Sequence, residues 1–348
     1  MLTIRKEGIL LKKTALEFEN DSVLNPGIMQ EGDTVHMLYR VVKSGNYSTI
    51  GYCKLDGPLK IVQRNNTPLL IPDSKEESKG MEDARIVKIE EIYYITYTAY
   101  DGINALGSLV TSKDLITFER HGVIVPKFTF DEFNCLAGSN KLVNAKYFRH
   151  VRHFEPNKNV FLWDKDVIFF PRKIKGKFAF LHRIRPGIQL VLFDSLDNLT
   201  KQFWENYFLT FNEHIILDPI GTNHESSFIG GGCPPIETEF GWLLIYHGVS
   251  DTCDGYIYSA AAALLDIDDP TKVIARFEDP LFAPDLDFEK NGVVSNVVFP
   301  TGTSLFDDTL YIYYGAADKR IACVSVSLKE LLKELLLKEK IDIIYTCG

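Results

Sequence analysis

The chain has 348 residues, 45% of them hydrophobic and 24% charged, a composition typical of a folded globular protein. Its formal net charge of −9 argues against nucleic acid or an anionic membrane as a partner. No apolar run approaches the roughly 18 residues of a membrane span, and no cleavable leader is evident, so we expect a cytoplasmic protein. The six cysteines form no C-x-x-C pair and no zinc-like spacing with histidine, which predicts reduced structural thiols and no metal or organic cofactor.

Five segments of the chain share one pattern: a strand, a short polar turn and a second strand rich in aromatic residues. Glycine, aspartate and other charged residues at the turns indicate hairpins. The segments are NPGIMQEGDTVHMLYR (25–40), EDARIVKIEEIYYITYTAYD (82–101), KDVIFFPRKIKGKFAFLHR (165–183), GGCPPIETEFGWLLIYHG (231–248) and VVFPTGTSLFDDTLYIYYGAAD (297–318).

Most of these hairpins are followed by another short strand, and the linking sequence could supply a fourth. These strands are expected at 48–55, 105–112, 188–195, 257–266 and 320–327. Repetition of small antiparallel sheets predicts an all-β protein with the fold of a five-bladed β-propeller. The alternative is a pair of β-sandwich domains, but no Pro/Ser-rich linker divides the chain. We therefore expect one catalytic domain over residues 1–348.

Two segments have helical rather than strand periodicity. Residues 327–340 begin with a capping box, Ser327 with Glu330, ahead of leucines at helical spacing. Residues 199–211 form a shorter candidate between the third and fourth units. We expect the first segment to be a C-terminal helix packed on the edge of the propeller.

Charged and polar residues recur at equivalent places in the five units. In the second unit, Glu82, Asp83 and Arg85 come just before the expected strands Val87–Ile89 and Tyr93–Ala99. Because the first strands of propeller blades surround one channel, such groups should converge in a single polar pocket. Residues at the first-strand starts are Asn25, Glu82, Asp83, Lys165 and Asp166, and those at the second-strand ends are Arg40, Asp101, Arg183, His247 and Asp318.

These five segments, in this order, resemble the signatures of glycoside hydrolase family 130, the β-mannoside phosphorylases and β-mannosidases. The likeness runs from about residue 20 to 330 and implies the same propeller and inversion at the anomeric carbon of a β-mannoside. Asp83 matches the general acid of the family, and Asn25, Arg40 and Asp318 match residues that hold the sugar or the nucleophile. Lys165, Arg183 and His247 match the region that cradles phosphate. We add Glu82, Arg85, Asp101, Asp166 and Tyr246 as substrate-binding candidates.

One feature of the resemblance fails. Phosphorylases of the family commonly have a cation just before the glycine-rich stretch, where this chain has Ser227 and Phe228, with Glu225 upstream. An inverting hydrolase needs a second carboxylate to activate water, and Glu225 is the candidate base. The sequence therefore favours hydrolysis of β-1,2-linked mannosides.

Two other functions stay open at this stage. The first is a β-mannoside phosphorylase that uses inorganic phosphate as co-substrate and releases α-mannose 1-phosphate. The second is a non-catalytic sugar-binding propeller, which retention of Asp83 argues against. In each case the expected partner is a β-mannoside oligosaccharide, and the sequence leaves a homo-oligomer open.

Overall fold

The computed structural model describes residues 2–138, 140–149, 160–221 and 223–346, and this part of the chain is mostly β-structure. A first strand, β1 (Arg5–Leu11), is followed by five antiparallel units, each with hairpin connections. Unit 1 contains β2 (Ser22–Glu31), β3 (Thr34–Lys43), β4 (Tyr47–Asp56) and β5 (Lys60–Arg64). Unit 2 contains β6 (Gly80–Ile89), β7 (Ile92–Tyr100), β8 (Ala105–Ser112) and β9 (Glu119–Val123).

Units 3 to 5 repeat the pattern with small variations. Pro234 and Pro235 interrupt the first strand of unit 4, because proline cannot donate to the strand ladder, and both pieces pair with the next strand. Unit 3 contains β10 (Lys165–Phe169), β11 (Phe178–Arg183), β12 (Ile188–Phe193) and β13 (Ile215–Leu217). Unit 4 contains β14 (Phe228–Gly231), β15 (Ile236–Thr238), β16 (Gly241–Thr252), β17 (Gly255–Leu265) and β18 (Val273–Arg276). Unit 5 contains β19 (Val298–Phe306), β20 (Thr309–Ala316) and β21 (Arg320–Ser327).

The fourth strand of unit 5 comes from the other end of the chain. Strand β1 pairs antiparallel with β21, with Ile9 opposite Ala322. The sequence pattern predicts the three C-terminal strands of this unit but does not mark β1 as its fourth strand. This pairing joins the N-terminal and C-terminal parts of the molecule in one sheet.

The hydrophobic core is divided among the interfaces between units. Separate clusters of buried side chains join units 1 and 2, 2 and 3, 3 and 4, and 4 and 5, and a fifth cluster joins unit 5 to unit 1. Met81 and Ile50 lie in the first of these, and Tyr313 and Met37 lie in the last. The series of interfaces therefore returns to the unit from which it starts.

The helices lie outside this β-structure. Helices α1 (Phe130–Ala137) and α2 (Lys201–Leu209) cover the core between units 2 and 3, whereas α3 (Asp287–Lys290) is a single turn before β19. Helix α4 (Leu328–Thr346) begins where the capping residue Ser327 predicted and continues beyond the predicted end. Leucines of α4 pack on the core between units 4 and 5. In the described residues, no helix is both long and apolar enough to span a membrane.

Two sequence predictions about position need correction. Helix α2 lies within unit 3, between β12 and β13, and not between units 3 and 4. Strand β6 begins at Gly80, so Glu82, Asp83 and Arg85 lie inside a strand and not before it.

Candidate active site

A bulge recurs in the first strand of units 1, 2 and 3. The register shifts between Leu24 and Gly27, between Glu82 and Arg85, and between Lys165 and Ile168. The residues in the left-handed conformation at these shifts are Asn25, Asp83 and Asp166, with φ of 49°, 54° and 55°. Asparagine and aspartate tolerate this conformation better than other residues with a side chain. The bulges turn these three polar side chains away from the direction that a regular strand would give them, as bulges near active sites commonly do.

The re-aimed side chains meet in one cavity. Seven of the residues that line it were site candidates from the sequence: Asn25, Arg40, Asp83, Lys165, Asp166, Arg183 and Asp318. Asp318 reaches the cavity from the turn after β20, also with a left-handed φ of 49°. The remaining lining residues are Trp163, Arg185, Tyr258, Val294, Val297 and Phe299.

Asp83 is held by polar neighbours on two other strands. Its Oδ1 accepts a hydrogen bond of 2.8 Å from Asn25 Nδ2, and Arg40 Nη1 lies 3.4 Å away. Burial by itself raises the pKa of Asp83, but the charges of Arg40 and Lys165 outweigh burial and lower it overall. Asp83 is therefore ionised at neutral pH when no ligand offsets these charges.

Glu82 does not line the cavity, but it forms ion pairs with two cations that do. Its carboxylate accepts from Arg40 Nη2 at 2.7 Å and from Lys165 Nζ at 3.2 Å. It is not among the lining residues, so a direct substrate contact is not supported. Glu82 instead fixes the positions of Arg40 and Lys165.

The pKa of Asp318 is shifted in the opposite direction to the pKa of Asp83. Burial is the main cause that raises its pKa to about 6, and the negative charge of Asp83 adds to the effect, while Arg40 and Lys165 oppose it. The pKa values of two carboxyl groups in one cavity are therefore shifted in opposite directions, a pattern typical of functional sites.

A second part of the cavity is strongly basic. Lys165, Arg183 and Arg185 line it together. Arg183 Nη1 lies 3.1 Å from Asp166 Oδ2, whereas the guanidinium of Arg185 stacks over the ring of Phe228 at 3.6 Å from its centroid. Burial and the nearby Arg183 lower the pKa of Arg185 to about 10, which leaves it charged at neutral pH. Arg185 is not among the site residues predicted from the sequence; its place two residues after Arg183, in an extended segment, was the available signal.

His247 does not act as a cation in this site. It is fully buried outside the cavity lining, and its Nε2 lies 3.2 Å from Arg183 Nη1. Burial and the surrounding arginines lower the pKa of His247 well below its usual value. A neutral imidazole accepts a hydrogen bond from Arg183, so the prediction of a direct phosphate contact by His247 is replaced by a role in orienting Arg183. Gly230 leaves the room for this arrangement, since a Cβ there would lie 2.5 Å from the His247 ring.

Arg85 is a buried bridge between units and not a lining residue. Its Nε donates to the carbonyl oxygen of Gly232 at 2.6 Å, and its Nη1 donates to the carbonyl oxygen of Asp83 at 2.7 Å. The predicted contact of Arg85 with substrate is therefore not supported. Arg85 holds the backbone of Asp83 in the bulged conformation.

Glu225, the candidate base, is fully buried away from the cavity. Its carboxylate accepts from the Tyr246 hydroxyl at 2.6 Å and pairs with Arg276. Tyr246, proposed as a sugar contact, is itself fully buried by this arrangement. A carboxylate that is already paired and lies outside the cavity lining is not placed to activate water there, so the structure does not support the predicted base role of Glu225.

The same three-residue arrangement occurs in three other units. In each, a buried glutamate from the segment before the first strand accepts from a tyrosine of the second strand and pairs with a cation of the fourth strand. In unit 3, Asp164 and His182 take similar places. The glutamate–tyrosine–cation triads are Glu19–Tyr39–Arg64, Glu77–Tyr97–Arg120, Glu225–Tyr246–Arg276 and Glu289–Tyr314–Lys6. Glu225 is therefore one copy of a repeated structural element.

Asp101 also lies outside the cavity lining. Its Oδ1 accepts from the backbone nitrogens of Ile103 and Asn104, at 2.8 and 2.6 Å. This is a side-chain cap of the loop between β7 and β8, so the predicted sugar contact of Asp101 is not supported.

The apolar residues of the cavity carried no usable signal in the sequence. Trp163, Tyr258 and Phe299 belong to strands or their flanks, where aromatic residues usually fill the core. Only their position around the cavity distinguishes them from aromatic residues of the core. In the described part of the chain, no group of three or more His, Cys, Asp or Glu side chains could hold a metal ion.

The chain is similar to known proteins over nearly its whole length. A family model described as beta-1,4-mannooligosaccharide phosphorylase matches residues 5–337. The 1,2-beta-oligomannan phosphorylase of Thermoanaerobacter sp. (strain X514) is 34% identical over 335 residues, covering 93% of this chain and 96% of the relative. The beta-1,2-mannobiose phosphorylase of the same organism is 35% identical over 330 residues, covering 91% and 93%. The solved complex of beta-1,2-mannobiose phosphorylase from Listeria innocua with β-1,2-mannobiose has a TM-score of 0.72 at 25% identity, covering 97% of this chain and 100% of that one.

Proposed function

Because the chain belongs to glycoside hydrolase family 130, we propose that it is an inverting β-mannoside phosphorylase acting on β-1,2-linked mannosides. The relatives that cover more than nine tenths of the chain are named as phosphorylases of β-1,2-linked mannose, which supports both the reaction and the linkage. The comparisons thus favour the phosphorylase alternative over the hydrolysis that the sequence analysis preferred.

We also infer that the five units are the blades of a five-bladed propeller. Two observations support this arrangement: hydrophobic clusters join every consecutive pair of units and join unit 5 to unit 1, and β1 completes the sheet of unit 5. Closure through a terminal strand removes the free edges that an open row of sheets would expose.

The observation that carries the proposed reaction is the basic part of the cavity. Phosphate needs several charge-assisted donors, which Lys165, Arg183 and Arg185 offer together. The sequence argument against phosphate was the absence of a cation at Ser227 and Phe228. In the structure, Arg185 stacks on the Phe228 ring and enters the cavity, so a cation is supplied from a neighbouring segment.

Two of the other carboxylates are already held in ion pairs. Asp166 is paired with Arg183, and Glu225 is paired with Arg276 outside the cavity. Neither is free to take a proton from water. A phosphate oxygen needs no base, because phosphate is already an anionic nucleophile at neutral pH.

In the proposed step, a phosphate oxygen attacks the anomeric carbon from the face opposite the leaving oxygen. The bond from this carbon to the leaving oxygen breaks, and its electron pair stays with that oxygen, which receives the proton carried by Asp83, directly or through a hydroxyl of the mannose. The products are α-mannose 1-phosphate and a mannoside shortened by one sugar. A positioned general acid typically accelerates such a reaction about 10²–10⁴-fold.

Asp83 must first acquire a proton, since the charges of Arg40 and Lys165 keep it ionised at neutral pH. The positive charge of Lys165 is among the causes that lower its pKa. A phosphate ion bound to Lys165 would offset that charge, and a sugar would exclude water from the carboxylate. Both effects raise the pKa of Asp83 in the ternary complex.

The basic cluster gives a direct test. Consumption of β-1,2-mannobiose should depend hyperbolically on phosphate concentration, and Arg185→Met should raise the KM for phosphate at least tenfold while leaving the KM for mannobiose within about twofold. Lys173→Met, which removes a cation outside the cavity lining, is the control and should change neither constant. Turnover that is independent of phosphate, or an unchanged phosphate KM in Arg185→Met, would overturn the assignment.

A further inference from the structure

Trp163 has an unusual position among the residues around the cavity. It and Val294 are the exposed members of the lining, at 38% and 40%, whereas Asn25, Asp166 and Arg183 are at most 6% exposed. The charged groups proposed to hold the transferred mannose and the phosphate are thus more deeply placed than the indole. Trp163 lies toward the open side of the site, where the remainder of an oligosaccharide would extend.

The indole ring is fixed by the neighbouring unit. Its Nε1 donates a hydrogen bond of 2.8 Å to the carbonyl oxygen of Ile103. The backbone nitrogen of Phe161 donates to Asn104 Oδ1, also at 2.8 Å. The segment that carries Trp163 is therefore tied at two points to the loop between β7 and β8.

Asp101 organises that loop. Its carboxylate accepts from the backbone nitrogens of Ile103 and Asn104 and, at 3.0 Å, from Asn104 Nδ2. The two residues that hold the Trp163 segment are thus the two that Asp101 caps. A chain of direct contacts leads from Asp101, through the loop, to the indole at the cavity.

We infer that Trp163 is the stacking platform for the leaving sugar, and that Asp101 is a positioning residue acting through the loop at 101–104. A pyranose ring presents an apolar face of C–H groups, and a fixed aromatic ring with few degrees of freedom binds such a face at small entropic cost. The inference rests on the proposed function, because it assigns the sugar that departs when phosphate attacks. It specifies a substrate with a second sugar ring next to the scissile bond.

Kinetics in the direction of synthesis give separate KM values for the donor and the acceptor, so they distinguish this contact from the sites that bind mannose and phosphate. Initial rates are measured with α-mannose 1-phosphate as donor and mannobiose as acceptor. Trp163→Ala should raise the KM for the acceptor about tenfold or more and leave the KM for the donor within about twofold. Trp163→Phe keeps an aromatic face without the Nε1 hydrogen bond and should give a smaller increase. Phe240→Ala, an exposed aromatic residue in the turn before β16, is the control and should change neither constant.

The positioning role of Asp101 has its own signature. Asp101→Ala should raise the acceptor KM in the same direction as Trp163→Ala, again without a change in the donor KM. Because both act on one contact, the double variant should be little worse than Trp163→Ala alone. Additive effects, or a fall in kcat with both KM values unchanged, would overturn the role of Asp101.

Tryptophan fluorescence tests the contact without catalysis. The chain has three tryptophans, of which Trp204 and Trp242 are buried at 3% and 0% exposure. Titration with β-1,2-mannobiose should change the emission of the wild-type protein, and Trp163→Phe should abolish that change. If mannobiose changes the Trp163 emission but phosphate is not consumed, the proposed function fails and the platform stands. If phosphorolysis proceeds but emission and acceptor KM are unaffected by the Trp163 substitutions, the platform is refuted alone.

Discussion

Glu225→Gln should destabilise the protein without removing its chemistry. Burial opposes ionisation of Glu225, but hydrogen bonding by His224 and the charge of Arg276 lower its pKa from 4.5 to about 2. At about 1.36 kcal/mol per pKa unit, the ionised carboxylate stabilises the folded state by about 3 kcal/mol. Loss of one partner of a buried ion pair has a similar cost.

The expected change in melting temperature follows from the size of the chain. An unfolding entropy of about 2.1 cal/mol/K per residue gives about 0.7 kcal/mol/K for the whole protein. A loss of about 3 kcal/mol therefore lowers the Tm by about 4 °C. Since the pKa of Glu225 is lowered in the folded state, this stabilisation is present above about pH 4.5 and is lost as the pH falls toward 2. The Tm difference between wild type and variant should shrink accordingly.

Glu77→Gln is the matched control, because Glu77 occupies the same place in the triad of unit 2. Tm by calorimetry and kcat well below the melting range should be measured for both variants. We expect both to melt earlier and both to keep kcat within a few-fold of wild type. A Glu225→Gln protein with unchanged Tm and a kcat reduced a hundredfold or more, beside an active Glu77→Gln, would refute the structural role of the triad.

Three further substitutions test the electrostatics of the cavity. Asp83→Asn should lower kcat by about 10²–10⁴-fold with little change in mannobiose binding; near-normal turnover of an unactivated mannoside would remove Asp83 from the acid role. Asp318→Asn should lower activity yet raise stability at pH 7 by up to about 3 kcal/mol, because burial raises the pKa of Asp318 from 3.8 to about 6. The unfolded chain ionises this group first, so the wild-type protein loses stability as the pH rises from about 3.8 to about 6. The gain should vanish near pH 4, and an equal Tm shift at both pH values would contradict the argument. His247→Phe should raise the phosphate KM by removing one of the groups that orient Arg183, and an unchanged phosphate KM would show that Arg183 needs no such support.

The repeated pattern of the sequence predicted the secondary structure of the five units well. Alternating apolar residues and turn-forming dipeptides fix hairpins locally, so the turns at 31–33 and 90–91 were found from the chain alone. The pairing of β1 with β21 was not found, because it joins residues more than 300 positions apart and no local pattern marks it. The bulges that carry Asn25, Asp83 and Asp166 were visible only as polar or charged residues at unexpected places in apolar sequence.

Repetition of the units selected seven residues that line one cavity, but it also selected Asp101 and His247, which lie outside that lining. Residues at equivalent places of several units, such as Asn25, Asp83 and Asp166, do line one cavity. Glu225 was chosen for its place upstream of a glycine-rich stretch, but sequence spacing cannot distinguish a lining carboxylate from one buried against tyrosine and arginine. Comparison of Glu225 with Glu19, Glu77 and Glu289 would have revealed the common triad. Arg185 enters through its stacking on Phe228, a contact across units that spacing does not encode.

The products formed from β-1,2-mannobiose test the central claim most directly. The purified protein is incubated with the disaccharide in the presence and absence of inorganic phosphate, and products are followed by ³¹P and ¹H NMR. The proposed function predicts equimolar α-mannose 1-phosphate and mannose, formed only when phosphate is present. Release of two mannose molecules per disaccharide, at a rate that phosphate does not change, would contradict it.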